Sequence, residues 1–504
     1  MGTGNLPETK NLSLSVEEGE ALSPELLSSA QIAGLKNKKV LIIGAGLAGT
    51  EAAWFLARHG VTVILMECKR FAPNPAQKMK TAAELVCTNS LKSMDPHTGH
   101  GLLKREMQKL GSLILDMAYQ HKVPAGEALT VDRLEFSQAI EAKLLSHPLI
   151  TYWEKEATDP LAHQLEIGAD AVIIATGPLT SEKLEQWIMA TVASDDFYFY
   201  DAIAPVVDAD SLNYDKLYFK DRHGLAGSGD YLNAPMDKAQ YENFISELVK
   251  AEKVPPKDFE ELRYFEACLP IDTMATRGPD TARFSCMKPI GLEMPDGTLP
   301  YAVVQMRKEN LLGSAYNLVG FQTRLTYKEQ VRVFRLIPGL EEAEFIHLGS
   351  CHRNSFLHAK KLLNPELNLK QSPSIYFAGQ MTGVEGYTES ASSGLYVALN
   401  ILQRLLGKTP VTWPANTAIG ALVHYLMTAD RPCPSNINMG LFPTPEAMDQ
   451  QWRQLKKSLR QEKRGARRGD KKGLKKEMVA LAEAQALHQT VELIRSNYQA
   501  NCQL

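Results

Sequence analysis

Two cysteine-bearing stretches bring together the residue types for covalent chemistry. Tyr264-Phe-Glu-Ala-Cys268-Leu-Pro-Ile runs on to Arg277, and Arg283-Phe-Ser-Cys286-Met-Lys288-Pro follows it. Cationic groups near a thiol lower its pKa and favour the nucleophilic thiolate. On spacing alone Cys268 and Cys286 are both candidates, against the plainer reading of a cysteine as a small buried hydrophobe. Cys87 stands in Leu85-Val-Cys-Thr-Asn-Ser-Leu-Lys92, where a thiol is flanked by two hydroxyls and an amide. The plainer reading there is a helix start capped by Ser or Asn, which has no need of the thiol. Cys68, Cys351, Cys433 and Cys502 are read as structural or surface residues. None of the seven cysteines is spaced C-x-x-C, which argues for free thiols in a reducing, cytoplasmic setting and against a structural metal site.

Such groups need a scaffold, and Lys39-Val-Leu-Ile-Ile-Gly44-Ala45-Gly46-Leu47-Ala48-Gly49 supplies its start. A short apolar run, a G-x-G-x-x-G turn and small residues at helical spacing read as strand, turn and helix. The first glycine permits the turn, the second lets backbone N–H groups approach a pyrophosphate, and the third lets helix and strand pack closely. The phosphates then sit at the positive end of the helix. A second strand closes on Glu67, placed to bind a ribose hydroxyl. Asp170 to Pro178 reads as a strand ending in a glycine turn. Ser374-Ile-Tyr-Phe-Ala-Gly379-Gln380 repeats the strand and glycine pattern, with a helix from about Thr388. Two glycine-rich helix starts so far apart in the chain suit a flavin dinucleotide better than a nicotinamide one. The fold expected is α/β, a Rossmann-like FAD-binding domain assembled from discontinuous segments with an inserted α+β substrate domain.

A chain of 504 residues exceeds a single core. The divisions expected are a lead-in at 1–36, FAD-binding segments at 37–178 and 361–450, an inserted domain at 179–360 and a basic tail at 451–504, helical or flexible. A short helix is expected from Ser23 to Leu35. Helix signals recur from Gly101 to Met117 and from Val131 to Leu145, the latter behind the capping candidate Asp132, and Tyr425 to Pro445 reads as a loop. The inserted region interleaves cations, amides and aromatics, so Arg277, Arg283, Lys288, Arg307, Arg324 and His352 are candidate contacts to phosphates and bases. A solvated surface has the same composition. The net charge of −3 gives no global pull on nucleic acid, and RNA would need local basic patches such as these or the Lys- and Arg-dense run Gln461 to Lys476. Residues 1–30 lack the basic start and apolar core of a secretion signal, and no apolar run reaches membrane-spanning length.

Several of these segments are specific enough to carry a resemblance. Gly44 to Glu51, Leu85 to Lys92, Pro124 to Arg133, Phe265 to Ile271, Arg283 to Leu292, Asn317 to Thr323 and Ala378 to Tyr387 resemble the bacterial folate- and FAD-dependent tRNA (uracil-5-)-methyltransferases, from about Lys39 to Phe442. The resemblance implies methylation of uracil C5 at position 54 of the tRNA T arm. Its cofactors would be 5,10-methylenetetrahydrofolate, FAD and, as reductant, NADH or NADPH. It maps the family's two proposed cysteines onto Cys268 and Cys87. Ala267 stands where glycine is expected and Thr88 where serine is common, and neither change removes a reacting group. Uracil C5 is a poor nucleophile; thiolate addition to C6 turns it into an enolate carbon able to attack a methylene group, with a cation stabilising charge at O4. The chain would act as a monomer or weak homo-oligomer. Two alternatives share the cofactor segments: the larger wobble-uridine flavoprotein, whose long helical C-terminal domain residues 450–504 cannot supply, and a small-molecule FAD oxidoreductase, which leaves the basic, aromatic middle unexplained.

Overall fold

The computed structural model describes residues 27–74, 76–192, 197–222, 229–255, 269–310, 312–430, 434–443 and 470–499. Val40, Leu41 and Ile42 are wholly buried, as a strand is when both faces of its sheet are covered. They lie in Lys39–Ile43, the middle of a five-stranded parallel sheet. Its spatial order is Ile375–Phe377, Ala171–Ile174, Lys39–Ile43, Thr62–Glu67, Ile150–Glu154. One sheet is thus drawn from widely separated stretches of chain.

The helix Leu47–Arg58 leaves the first strand through the glycine turn. Gly44 has φ +102°, and a Cβ on Gly49 would lie 1.8 Å from the Gly44 carbonyl oxygen. The helix Tyr387–Leu405 lies along Leu47–Arg58. Their approach is close enough that a Cβ on Gly394 would stand 2.2 Å from the Ala48 oxygen.

A second sheet, six-stranded and antiparallel, occupies the middle of the chain in the order Tyr218–Phe219, Tyr231–Met236, Ala302–Lys308, Ala315–Leu318, Val206–Asp208, Phe345–His347. Its own buried cluster runs from Val207 to Phe334 and Ala343, around Phe244, Phe321 and the helix Lys238–Lys250. The other cluster joins Leu27 to Val192 with Leu357 to Phe442 and with Val479 to Ile494 of the tail. The antiparallel pair Phe197–Ile203 and Ser350–Phe356 carries the chain between them.

Local expectations fail at identifiable places. Residues 90–93 form the strand Ser90–Ser93, paired with Ala128–Val131, rather than a helix start. The helix expected from Gly101 to Met117 is two helices, Gly99–Lys109 and Leu113–Gln120. They part at Gly111, φ +71°, where a Cβ would meet the Arg58 guanidinium at 2.5 Å. The first described helix starts at Ser29, behind a capping box of Ser28 and Gln31. Tyr425 to Thr428 end the helix Ala418–Thr428 instead of opening a loop. In the tail, the helix Asp470–Gln499 packs on Gly99–Lys109, with Arg105 ion-paired to the buried Glu483. No described helix is long and apolar enough to cross a membrane.

Candidate cofactor and thiol site

The C-terminal ends of the parallel strands open into a cavity of about 340 Å³, where doubly wound sheets hold their ligands. Gly44, Gly46, Leu47 and Ala48 from the first turn, Glu67 from the second strand, and Gly379 and Gln380 from the last glycine turn all line it, as does Cys87. Ala45 and Gly49 stand behind. The Ala45 N–H donates to Glu67 Oε2 at 2.7 Å, and Gly49 backs onto Gly44. The other Glu67 oxygen accepts from the N–H groups of Cys68 and Lys69 at 2.8 and 2.9 Å. The acidic end of the second strand therefore braces the glycine turn.

Cys87 lies in an irregular stretch whose backbone needs partners from elsewhere. The Tyr387 hydroxyl accepts from Cys87 N–H at 2.7 Å and Thr88 N–H at 3.0 Å. Burial, reinforced by Cys87 nearby, pushes that phenol well above its ordinary range, so it stays neutral. Arg133 donates to the carbonyls of Leu85 at 2.9 Å and Cys87 at 3.4 Å. Burial alone would lower the Arg133 pKa; Glu309, 2.7 Å from its Nε, outweighs that and raises it. The Cys87 thiol is half-buried. Two other thiols are held protonated: burial and then Glu67 push Cys68 up to about 11, and burial pushes Cys286 up to about 12.

The remaining candidates disperse. Cys268 falls outside the described residues. Arg307 is a correction: it is only 6% exposed, and its guanidinium bonds to Asn89 Oδ1 at 3.1 Å and to Thr88 Oγ1. It faces the Cys87 stretch, not solvent, and is not placed to hold an RNA phosphate. Arg283 lies over the Tyr301 ring at 4.1 Å and donates to the Tyr301 carbonyl at 2.9 Å, beside Phe284, which is 71% exposed. Arg277 is exposed at the end of the helix Ile271–Arg277, and Lys288 is half-buried just beyond Cys286. The Arg324 N–H is anchored on buried Asp272 at 3.0 Å. His352 sits on the strand Ser350–Phe356, opposite Asp201. Arg277, Arg283, Lys288, Arg307 and Arg324 are not among the residues that line the cavity. Tyr387, Arg133, Asn89 and Glu309 were not singled out by sequence reasoning. Their roles depend on contacts between segments 46 to 300 residues apart, and only the clustering of Thr88 and Asn89 around Cys87 hinted at them. Among the described residues no three His, Cys, Asp or Glu side chains group as a metal site.

The architecture is that of a dinucleotide-binding flavoprotein with an inserted antiparallel domain that contacts the stretch around Cys87. The fold also matches solved structures: GidA from Aquifex aeolicus superposes over 90% of this chain and 74% of its own, with a TM-score of 0.62 at 16% identity. A family model described as Glucose inhibited division protein A matches residues 39–409. The curated methylenetetrahydrofolate–tRNA-(uracil-5-)-methyltransferase TrmFO of Desulfotalea psychrophila is 50% identical over 414 residues, 81% of this chain and 91% of its own. That of Heliobacterium modesticaldum is 50% identical over 408 residues, 80% and 91%. The chain belongs to the GidA family and, within it, to the folate-dependent tRNA (uracil-5-)-methyltransferases.

Proposed function

We propose that this protein methylates C5 of uracil 54 in the T arm of tRNA, taking the one-carbon unit from 5,10-methylenetetrahydrofolate, with FAD as its redox cofactor and NADH or NADPH as reductant. The observation that carries the reading is 50% identity to such an enzyme along 81% of the chain. The cavity also suits a dinucleotide cofactor. Gly46 and Gly177 line it, and a Cβ on Gly177 would meet nothing within 4 Å while one on Gly46 would meet only Ala175 O, at 3.9 Å. Backbone can therefore approach a diphosphate without a side chain intervening.

In this reading the N–H groups at the start of Leu47–Arg58 hold the diphosphate at the positive helix end. Glu67 is within the cavity wall and would take a ribose hydroxyl, and the Gly379–Gln380 turn would hold a second part of the cofactor. FAD, when bound, supplies the electrons that bring the one-carbon unit to the methyl level. Cys268 is assigned as the thiolate that adds to uracil C6, and Cys87 as its partner that takes the C5 proton or positions the reacting group. Tyr387 and Arg133 hold the Cys87 backbone by its N–H and carbonyl groups respectively. Arg277, Arg283, Lys288, Arg324 and His352 are assigned to the tRNA surface, with Arg283 and exposed Phe284 offering a cation and a π-face to unstacked nucleotides.

The test is nucleoside analysis of unmodified tRNA after incubation with the protein, FAD, NADPH and methylenetetrahydrofolate. Folate-dependent 5-methyluridine at position 54 is the expected product. Flavin-loaded protein that oxidises NADPH yet leaves the tRNA unchanged would overturn the assignment.

A further inference from the structure

Cys87 belongs to the first domain by sequence, yet its segment is gripped from the other domain. The strand Ala302–Lys308 lies inside the antiparallel sheet, with Arg307 opposite Tyr231 on one side and Asn317 on the other. Its backbone is therefore fixed by ladders on both edges, and so is the origin of the Arg307 side chain. From there the guanidinium reaches out to Thr88 Oγ1 and Asn89 Oδ1. The contact is returned: Asn89 Nδ2 donates to the carbonyls of Lys308 at 3.0 Å and Glu309 at 3.3 Å. Asn89 is wholly buried, and Glu309 is 9% exposed. Glu309 pairs through both oxygens with Arg133, at 2.7 Å to Nε and 3.1 Å to Nη2. Arg133 is the group that holds the carbonyls of Leu85 and Cys87.

Two arms thus run from the end of one strand of the inserted domain, Arg307 within it and Glu309 just past it, to the two flanks of Cys87. One goes through Arg307 to Thr88 and Asn89, the other through Glu309 and Arg133 to Leu85 and Cys87 itself. A planar guanidinium can hold two acceptors in fixed directions, which a lysine ammonium cannot. We propose that Arg307 and Glu309 are positioning residues for the Cys87 thiol, so that the placement of the inserted domain sets where that sulfur stands over the cofactor cavity. Neither residue touches the cavity, so both act only through the segment Leu85–Asn89. A domain that binds tRNA thereby also adjusts a thiol in the other domain. The inference rests on the reading of Cys87 as a reacting group, but the geometry of its support does not.

The experiment uses full-length, flavin-loaded Arg307→Lys and Glu309→Gln. Each is measured for flavin content, KM for tRNA, kcat, and the rate and pH profile of Cys87 alkylation by iodoacetamide, followed on the Cys87 peptide by mass spectrometry. Positioning predicts wild-type flavin content and KM, with kcat lowered about 10- to 100-fold, as for supporting residues around other reacting groups. It also predicts an altered alkylation rate and a displaced pH profile. Unchanged alkylation in both variants would overturn the proposal and leave the contacts as domain adhesive. Should neither variant retain flavin, Thr88→Val decides by the same alkylation readout, since it removes one of the two acceptors for Arg307 and leaves Arg307 and the Glu309–Arg133 pair in place. Cys87→Ala serves as the separate control. Full methylation by that variant removes Cys87 from the chemistry, while the alkylation profiles still judge whether Arg307 and Glu309 place it.

Discussion

Replacing Gly46 by alanine separates what the glycine turn does for the fold from what it does for a ligand. Gly46 has φ −75° and ψ −170°, an extended conformation open to any residue, and its added Cβ would meet nothing nearer than the Ala175 oxygen at 3.9 Å. The substitution should therefore leave stability within about 1 kcal/mol of wild type, with the entropic benefit of losing a glycine. The new methyl group enters the cavity, where the diphosphate needs the backbone. Loss of one charge-assisted hydrogen bond costs about 1.5–3 kcal/mol, which is roughly a 10- to 100-fold weaker flavin Kd. Gly49→Ala is the opposite case, because its Cβ would stand 1.8 Å from the Gly44 oxygen. The helix must back away from the turn, so stability falls by about 1–3 kcal/mol or more whether or not flavin is present. Flavin titration of the stripped proteins, with Tm by circular dichroism, distinguishes the two. Wild-type flavin affinity in a folded Gly46→Ala protein would refute the placement of the diphosphate at this turn.

Three further expectations rest on separate observations. Cys268→Ala should keep flavin and lose 5-methyluridine formation, since binding energy cannot replace covalent addition; trapping with 5-fluorouridine tRNA and peptide mapping checks it, and an adduct on Cys87 instead would exchange the two roles. Glu389 is wholly buried, and although burial opposes its ionisation, Lys92 and His100 draw its pKa down to about 2. Because the folded value lies below the unfolded one, the contribution is present above about pH 4.5 and lost as pH falls toward 2, up to about 3 kcal/mol; acid unfolding should be less steep in Glu389→Gln, and an identical pH slope would contradict the assignment. Glu483→Ala leaves Arg105 without its partner in a largely buried setting, at a cost of about 3 kcal/mol, measurable as a lower denaturant midpoint with turnover retained by the folded fraction.

What could be read from the sequence was whatever repeats locally. Val40 to Ile43 and the glycines after it announce strand, turn and helix because each step depends on residues a few positions away, and Asp132 caps Arg133–Ser146 by the same short-range logic, its carboxylate accepting from Leu134 and Glu135. Gly111 was missed although its signal is local: it takes φ +71° just past the end of one helix, and Ser112 caps the next by accepting from Leu115 N–H, while Arg58 holds the Gly111 carbonyl at 2.9 Å. Ser90–Ser93 looked like a cap because Ser and Asn favour caps, but pairing with Ala128–Val131 gave that backbone another partner.

Arg307 shows the same limit at the site. Written beside Gln305 and Lys308 it has the texture of an RNA-facing surface, and strand alternation puts it on the opposite face from Met306. Yet Met306 and Arg307 are both buried, because the face that alternation assigns to Arg307 is covered by the Cys87 segment of the other domain. No feature of residues 302–308 alone announces that cover. It follows from two chain segments more than two hundred positions apart, Asn89 and Arg307, meeting through complementary amide, hydroxyl and guanidinium groups. A cation written like a phosphate contact is already satisfied by protein, so exposed Arg277 and half-buried Lys288 are better candidates than Arg307 for the tRNA surface proposed above. Salt dependence offers the discriminating measurement: each phosphate-contacting cation lost should reduce the slope of log K against log salt by about one unit, so Arg277→Ala should flatten it and Arg307→Gln should leave it unchanged.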